Sequence, residues 1–372
     1  MSTETEEKKA ELGKVKCNDC GAFLSYNVGT TTLKCEYCAS EVAIPIEKAN
    51  IDERDFDTFL ADSINSKETH QTHTVQCKEC GATTTLSPKA TSDNCPYCSS
   101  PLVVANSTSQ NSIKPQSILP FKIEKSKAIE IFSDWLQKLK FAPNDLKYYA
   151  NNSNEKLTGI YLPFWTYDCT AKSEYFGKRG EHYTETETYT DSDGNSQTRE
   201  VQKTSWSLVS GTVQNNFDDI LVCASKALPI NTIQQLEPWD LDQLVDYNED
   251  FLSGFKSESY SIDLKSGWNL AQKTINSTIE VKIRNLIGGN EQIIDSLTVK
   301  YNDKTFKHIL LPLWISAYKY KDKVYQFTIN ARTGEIQGER PYSFWKRFFV
   351  VLIIAAIILV AIYIPKIIQL FK

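Results

Sequence analysis

The amino-acid sequence predicts a multidomain protein with two small β ribbons built around cysteines, then an α+β domain with mainly antiparallel strands, then one transmembrane α-helix. Three observations predict this order. Four C-x-x-C pairs lie in the N-terminal part, a stretch rich in Thr, Tyr, Val and Trp follows, and an uncharged apolar run lies near the C-terminal end of the sequence. A length of 372 residues allows two or three folded units.

The cysteines form a tandem repeat. Residues 15–44 and 75–104 align at a constant offset of 60, and each copy has the spacing C-x2-C-x14-C-x2-C. This spacing is close to that of zinc ribbons. Two thiolates from each pair hold one side of a tetrahedron, and four thiolates leave no open coordination position. We therefore expect two structural zinc ions, held by the following residues: Cys17, Cys20, Cys35, Cys38, Cys77, Cys80, Cys95 and Cys98.

The residues around the cysteines fit this interpretation. Gly21 and Gly81 follow the first pair of each copy and permit the positive φ that a metal-binding turn needs. A ribbon of about 35 residues buries too little core to fold without a metal. Rubredoxin-like iron is the alternative, because four sulfurs suit both metals. A thioredoxin-like redox role fits less well, since that motif accompanies a βαβ unit.

Composition shifts divide the chain. The expected segments are a disordered N-terminus (1–13), zinc ribbon 1 (14–46), a linker (47–73), zinc ribbon 2 (74–105), a linker (106–117), the α+β domain (118–343), the transmembrane helix (344–366) and a short tail (367–372). In the first linker, an acidic run allows one short helix.

Within the α+β domain, apolar spacing predicts an amphipathic helix over 126–141 and a longer helix over Leu264–Ile287, which a Gly-Gly pair ends. Pro238 begins a short helix. Alternating residues predict a strand-rich stretch over 160–215, which a turn over 191–195 interrupts. Three further strands are predicted: 297–301, 309–320 and Lys323–Asn330.

Two short motifs resemble each other within this domain. Tyr161-Leu-Pro-Phe-Trp165 and Leu311-Pro-Leu-Trp314 each place a proline at the start of a strand, where a missing N–H is tolerated. The two motifs could occupy equivalent places in two related αβ halves. The alternative is that Trp165 and Trp314 are simply core residues.

The apolar run covers residues 348–364, which contain no charged residue. At about 1.5 Å per residue its length is close to the thickness of a bilayer core. Trp345 and Tyr363 lie where interfacial aromatic residues are expected. Since no apolar signal segment opens the chain and the thiolates need a reducing compartment, we expect a tail-anchored protein of the cell membrane, single-pass, with its N-terminal bulk in the cytoplasm.

Charge and missing motifs limit the function classes. Residues 1–110 carry ten basic and sixteen acidic residues, a balance that disfavours nucleic-acid binding by the ribbons, although zinc ribbons often bind nucleic acids. The sequence contains no P-loop, no G-x-G-x-x-G and no G-x-S-x-G motif. We therefore expect no enzyme, no catalytic residue and no cofactor-binding residue other than the zinc ligands.

The eight paired cysteines, the two Leu-Pro motifs, the terminal apolar run and the segment 330–345 (NARTGEIQGERPYSFW) resemble a bacterial family of zinc-ribbon membrane proteins. Members are often labelled "primosomal protein N′ (replication factor Y)", and some are encoded beside a phage-shock-protein-A homologue and a band-7/flotillin-like protein. The resemblance implies a membrane adaptor that recruits such a cytoplasmic partner in envelope stress. It does not support the helicase label, since ATPase motifs are missing from the sequence.

Overall fold

A computed structural model describes residues 15–46, 53–62, 69–79, 81–85, 93–98, 100–102, 108–146, 157–190, 192, 194–321 and 323–370. The predicted fold class is confirmed within this part of the chain: two N-terminal cysteine clusters, a central mixed α+β sheet domain and a long C-terminal apolar helix. The expected disordered N-terminus lies outside the described residues. Of the expected short tail, residues 367–370 continue the last helix, and only 371 and 372 are not described.

The first cysteine cluster is carried by a three-stranded antiparallel sheet. Its strands are β1 (Leu24–Tyr26), β2 (Thr32–Cys35) and β3 (Glu41–Ala43). The apolar side of this sheet joins the core of the central domain, because Tyr26 packs edge-on against Phe251 with ring centroids 5.2 Å apart. The Tyr26 backbone N–H also donates to the Ser253 carbonyl at 2.9 Å.

The second cysteine cluster is flanked by two small sheets. In one, β5 (Thr69–Gln76) lies between β6 (Thr83–Thr85) and β9 (Thr108–Ile113); in the other, β7 (Asp93–Asn94) pairs with β8 (Pro101–Leu102). Strand β9 lies in the segment that the sequence predicts as a linker. Its residues are almost all polar, so they show no alternation of apolar and polar side chains that would indicate a strand. The segment forms a strand because it pairs with β5.

Part of the first predicted linker packs on the central domain. Strand β4 (Arg54–Asp55) pairs with residues Thr305 and Phe306, and the short acidic helix expected there is α1 (Phe56–Asp62). Phe56 is buried and packs against the rings of Trp268 and Phe306.

Among the described residues, the central domain is built on a nine-stranded mixed sheet. Its main path runs β12-β11-β15-β10-β13, and β14, β16, β17 and β4 attach to it. Its remaining strands are β10 (Ser117–Ile118), β11 (Thr158–Thr190), β12 (Ser196–Cys223), β13 (Val245–Asp246), β14 (Lys256–Ser257), β15 (Glu291–Tyr320), β16 (Lys323–Asn330) and β17 (Ile336–Gly338).

Three strands are unusually long, and two of them, β11 and β12, fill the strand-rich stretch that the sequence predicts on both sides of a turn. Strand β11 has 33 residues, β12 has 28 and β15 has 30. The hairpin of β11 and β12 continues past Gly180, where β15 begins to pair at Glu291, so its outer part projects as two strands. Strand β15 joins the two strands that the sequence predicts separately, 297–301 and 309–320, into one.

Helices cover the sheet. They are α2 (Lys125–Lys138), α3 (Ile230–Gln234) and α4 (Leu264–Ile287), with 3-10 turns at Leu241–Gln243 and Glu249–Leu252. Helix α4 has the predicted bounds: Asp263 caps its start by accepting from the Ser266 N–H, and Gly288 ends it at φ 66°. Its apolar stripe is buried on β11, β12 and β15 and includes Ala271, Ile275, Ile279, Ile283 and Ile287.

The Leu-Pro motifs prove to be neighbours. Strands β11 and β15 run antiparallel, and Pro163 lies opposite Leu310 while Pro312 lies opposite Tyr161. Both tryptophans are buried. The Trp165 indole N–H donates to the Ile262 carbonyl at 2.9 Å, and the Trp314 indole N–H donates to the Ile123 carbonyl at 2.8 Å. Each accepting carbonyl lies two residues before a helix, α4 or α2.

The backbone around these motifs repeats the same contacts. Each proline carbonyl accepts from an alanine N–H: Pro163 from Ala224 and Pro312 from Ala331. Each alanine carbonyl then accepts from two consecutive N–H groups, those of Ser261 and Ile262 for Ala224, and those of Lys122 and Ile123 for Ala331. The central domain therefore contains two α-β-β units, α2-β11-β12 and α4-β15-β16, and the hairpin of each unit holds the start of the other unit's helix.

The last helix, α5 (Phe344–Leu370), extends away from the domain. Its 18-residue window Phe344–Ala361 is long and apolar enough to cross a membrane, and none of it is buried. The start of the helix is attached to the body: the Ser343 N–H donates to the Phe141 carbonyl at 2.8 Å, and Lys346 Nζ donates to the Ala142 carbonyl at 2.7 Å. The helix is compatible with a single membrane span.

Candidate metal centres

The first cluster brings four predicted ligands together. The Sγ atoms of Cys17, Cys20, Cys35 and Cys38 all lie within 4.8 Å of one another. Cys17 Sγ is 3.5 Å from Cys38 Sγ, and Cys20 Sγ is 3.5 Å from Cys35 Sγ. Sulfurs at the corners of a zinc tetrahedron with bonds of about 2.3 Å lie about 3.8 Å apart. The cluster therefore has the size that a tetrahedral metal ion requires.

Two tight turns position these sulfurs. Gly21 has φ 75° and donates its N–H to the Cys17 carbonyl at 2.9 Å, as the spacing predicts for the turn after the first pair. Ala39 takes the equivalent place after the second pair, with φ 59°. A positive φ at alanine costs free energy, so the surrounding contacts must hold this turn.

Polar neighbours favour thiolates in this cluster. The Ser40 hydroxyl, 2.9 Å from the sulfur, lowers the pKa of Cys17 to about 6. The backbone N–H of Cys38 is the main cause that lowers the pKa of Cys35. For Cys20, the Ala22 N–H lowers the pKa, but the sulfurs of Cys35 and Cys38 together with burial raise it to about 12. A cation bound among the four sulfurs would offset the effect of the neighbouring sulfurs on Cys20 and favour its thiolate.

The second cluster has the same geometry in its described part. The sulfurs of Cys77, Cys95 and Cys98 lie within 4.8 Å of one another, and Cys77 Sγ is 3.6 Å from Cys98 Sγ. The fourth predicted ligand, Cys80, lies outside the described residues. Gly81 repeats the positive φ of the first ribbon, at 76°. The structure therefore contains two cysteine clusters, of four and three residues, that are positioned to bind metal ions.

The two clusters differ in how their second turns are used. Each turn carries a tyrosine at the equivalent position, and 84% of Tyr37 is exposed whereas 1% of Tyr97 is exposed. The Tyr97 hydroxyl donates to Glu258 in the central domain, and the Tyr97 carbonyl accepts from Gln326 Nε2 at 3.0 Å. The second ribbon is thus joined to the sheet through its metal-binding turn. The metal-binding turn of the first ribbon faces solvent.

A third cluster consists of acidic side chains that lie close together: Glu53, Asp168 and Asp218. No local sequence pattern indicates this group, because its members come from segments far apart in the chain. Lys307 Nζ lies 3.1 Å from Glu53 Oε1 and 2.8 Å from Asp219 Oδ1, so an ammonium group already supplies a cation here. Burial and the nearby Glu53 raise the pKa of Asp168 to about 7. We interpret this group as a structural ion-pair network.

Comparison with curated proteins shows one distant relationship. The chain is 25% identical over 244 residues to "Uncharacterized protein YdjG" of Bacillus subtilis (strain 168), a match that covers 62% of this chain and 65% of the relative. The match therefore spans slightly less than two thirds of the relative's length. No protein-family model matches the chain, and no solved structure matches it significantly. The comparison indicates distant homology and assigns no named family.

Proposed function

We propose that the chain is a membrane-anchored adaptor whose two structural zinc ribbons support recruitment of a cytoplasmic protein to the membrane. The observation that carries the proposal is the contrast between the two ribbons. One is fixed to the central sheet through Tyr97, and the other presents the same turn, with Tyr37, to solvent. The second ribbon is therefore fixed to the sheet through this turn, whereas the exposed turn of the first ribbon is suited to serve as a binding surface.

The metal assignment follows from the ligands. Four sulfur ligands in a tetrahedron suit zinc, and they leave no position for substrate or water. We assign both ions a structural role and propose no catalytic activity. The acidic balance of residues 1–110 continues to disfavour nucleic acid as the partner.

The partner we propose is a phage-shock-protein-A-like or band-7/flotillin-like protein, and the setting is envelope stress. Support comes from the family resemblance and from the exposed apolar helix α5, which is compatible with a membrane span. The first ribbon supplies a contact surface that includes Tyr37 and Val42, since 84% and 38% of these side chains are exposed.

The test uses the full chain in detergent micelles with zinc retained. The purified phage-shock-protein-A homologue of the same organism is expected to co-elute with it. Replacement of Tyr37 by alanine should weaken this binding about tenfold, as loss of an exposed aromatic contact at an interface does. The control is Tyr183→Ala, since Tyr183 is 46% exposed on the long hairpin, away from the ribbons. If neither the phage-shock-protein-A homologue nor a band-7 protein binds the zinc-loaded chain, the proposed partners are wrong.

A further inference from the structure

A groove with a volume of about 950 Å³ runs beside the last residues of β12. Helix α4 forms one side of it, and the segment from α3 to the following 3-10 turn forms the other. Its lining is mainly apolar and includes Leu221, Val222, Ile230, Trp239, Ile262 and Leu270. A largely apolar groove of this volume is typical of a binding site.

The floor of the groove is an unpaired edge of the sheet. Strand β12 lies at the end of the strand order, and within the described residues it pairs with β11 alone. The bond from the Ala224 N–H to the Pro163 carbonyl fixes which residues of β12 face β11. Because bonding alternates along an antiparallel pair, Leu221 and Cys223 direct their N–H and C=O groups away from β11, toward the groove.

The second α-β-β unit shows what such an edge accepts. Ala331 is the equivalent of Ala224, so the end of β16 corresponds to the end of β12. There, β17 pairs antiparallel with β16, with Thr328 opposite Gln337 and Ile329 opposite Ile336. The helix contact is equivalent too, since Ile131 of α2 reaches the turn before β17, and Leu270, at the same place in α4, lines the groove.

From this comparison we infer that the groove binds an extended peptide segment of another protein, which adds to β12 as a short antiparallel strand. An acyl chain would fit the apolar walls, but it would leave the outward N–H and C=O groups of Leu221 and Cys223 without partners. A peptide strand satisfies these groups and fills the walls with its side chains. The inference does not depend on the adaptor role proposed for the ribbons.

The charges of the groove and the sequence of β17, the equivalent strand of the second unit, indicate which residue types the bound peptide should contain. Lys226 and Lys273 line the groove and form no ion pair with the described residues. Of the two acids in the lining, Asp219 is paired with Lys307. The remaining charged groups of the groove are two lysines and Glu237, an excess of one positive charge. Strand β17 is flanked by glutamates on both sides. We therefore expect a segment with at least one apolar residue opposite Val222 and an acidic residue next to it.

The test begins with a phage-displayed library of decapeptides, selected against the full-length zinc-loaded chain in detergent micelles. Selected peptides, made synthetically, are expected to bind the wild type and to slow hydrogen exchange at the Leu221 and Cys223 amides at least about tenfold. Exchange at the Val222 amide, which faces β11, should change much less. This alternation distinguishes an added strand from apolar contact alone.

Two matched pairs of variants complete the test. Leu221→Pro removes one groove-facing N–H and should weaken peptide binding about tenfold, whereas Leu221→Val keeps that N–H and should not. Ile230→Glu places a charge in the groove, and Val281→Glu places one on α4 at a similarly exposed position, 57% against 59%. This second pair keeps the inference testable if Leu221→Pro fails to fold.

Three results would overturn the inference. One is a selection that yields no peptide whose binding depends on Ile230. Another is equal binding of the selected peptides to folded Leu221→Pro and Leu221→Val, with unchanged exchange at Leu221 and Cys223. The third is occupation by a lipid, seen if oleate protects the groove from exchange and no selected peptide does.

Discussion

Glu258 lies where the second ribbon meets the central sheet, and 3% of its surface is exposed. It accepts a hydrogen bond from the Tyr97 hydroxyl and another from Ser225 Oγ at 2.6 Å. Burial raises the pKa of Glu258 to about 7 despite both donors. A carboxyl group at this position therefore changes its charge in the neutral pH range, next to the contact that joins ribbon and sheet.

The stability of the protein should therefore depend on pH through Glu258. Its folded pKa of about 7 lies above its ordinary value of 4.5, so the fold favours the protonated form. The stabilisation that protonated Glu258 contributes to the free energy of unfolding is complete below pH 4.5 and is lost as the pH rises to 7. Its size is on the order of 3 kcal/mol. Glu258→Gln should flatten this decrease in the free energy of unfolding, measured by urea denaturation between pH 5 and 8. An unchanged slope would show that Glu258 ionises freely; the exposed Glu280→Gln is the control.

Lys307 should contribute to stability through its two ion pairs. Its ammonium group lies between Glu53 and Asp219, and its side chain is 9% exposed. Lys307→Met should lower the free energy of unfolding by about 2 kcal/mol, because it removes a buried ammonium group from the partly exposed Glu53 and Asp219. Lys127→Met removes an exposed pair with Glu130 and should cost less than about 1 kcal/mol. Equal losses in the two variants would contradict the interpretation of a structural ion-pair network.

At the scale of elements, the two ribbons differ in what their metal stabilises. Cys38→Ser and Cys98→Ser remove equivalent ligands, and each should lower the zinc content, measured by plasma mass spectrometry, from about two ions per chain to about one. Cys98→Ser should also lower the unfolding temperature of the central domain more, since Tyr97 is part of that domain's core. Similar unfolding temperatures would show that the second ribbon contributes no more than the first.

The elements also show which features sequence patterns can predict. Helix α4 and the turn glycines Gly21 and Gly81 were predictable, because an apolar stripe, a cap and a required positive φ are local signals. The full length of β15, the strand β9 and the acidic group around Asp168 were not. Each depends on pairing or packing between residues far apart in the chain.

The whole molecule divides into a folded body and one exposed helix. Removal of residues 344–372 should release the protein from membranes, since helix α5 carries the apolar window and none of that window is buried in the body. Sedimentation after carbonate washing should find the full chain in the pellet and the shortened chain in the supernatant. The shortened chain should keep its unfolding temperature within a few degrees. A shortened chain that still sediments with membranes would place the membrane contact elsewhere.

The exchanged contacts between the two α-β-β units have a consequence for how the chain can be divided. Because Trp165 secures the beginning of α4, and Trp314 secures that of α2, neither half is complete without its counterpart. The arrangement resembles a domain-swapped dimer, in which two protomers exchange an equivalent element. Here both units belong to one polypeptide, and the exchanged elements are the helices α2 and α4. A cut in the loop after Lys226 should leave two fragments that stay associated and do not fold separately.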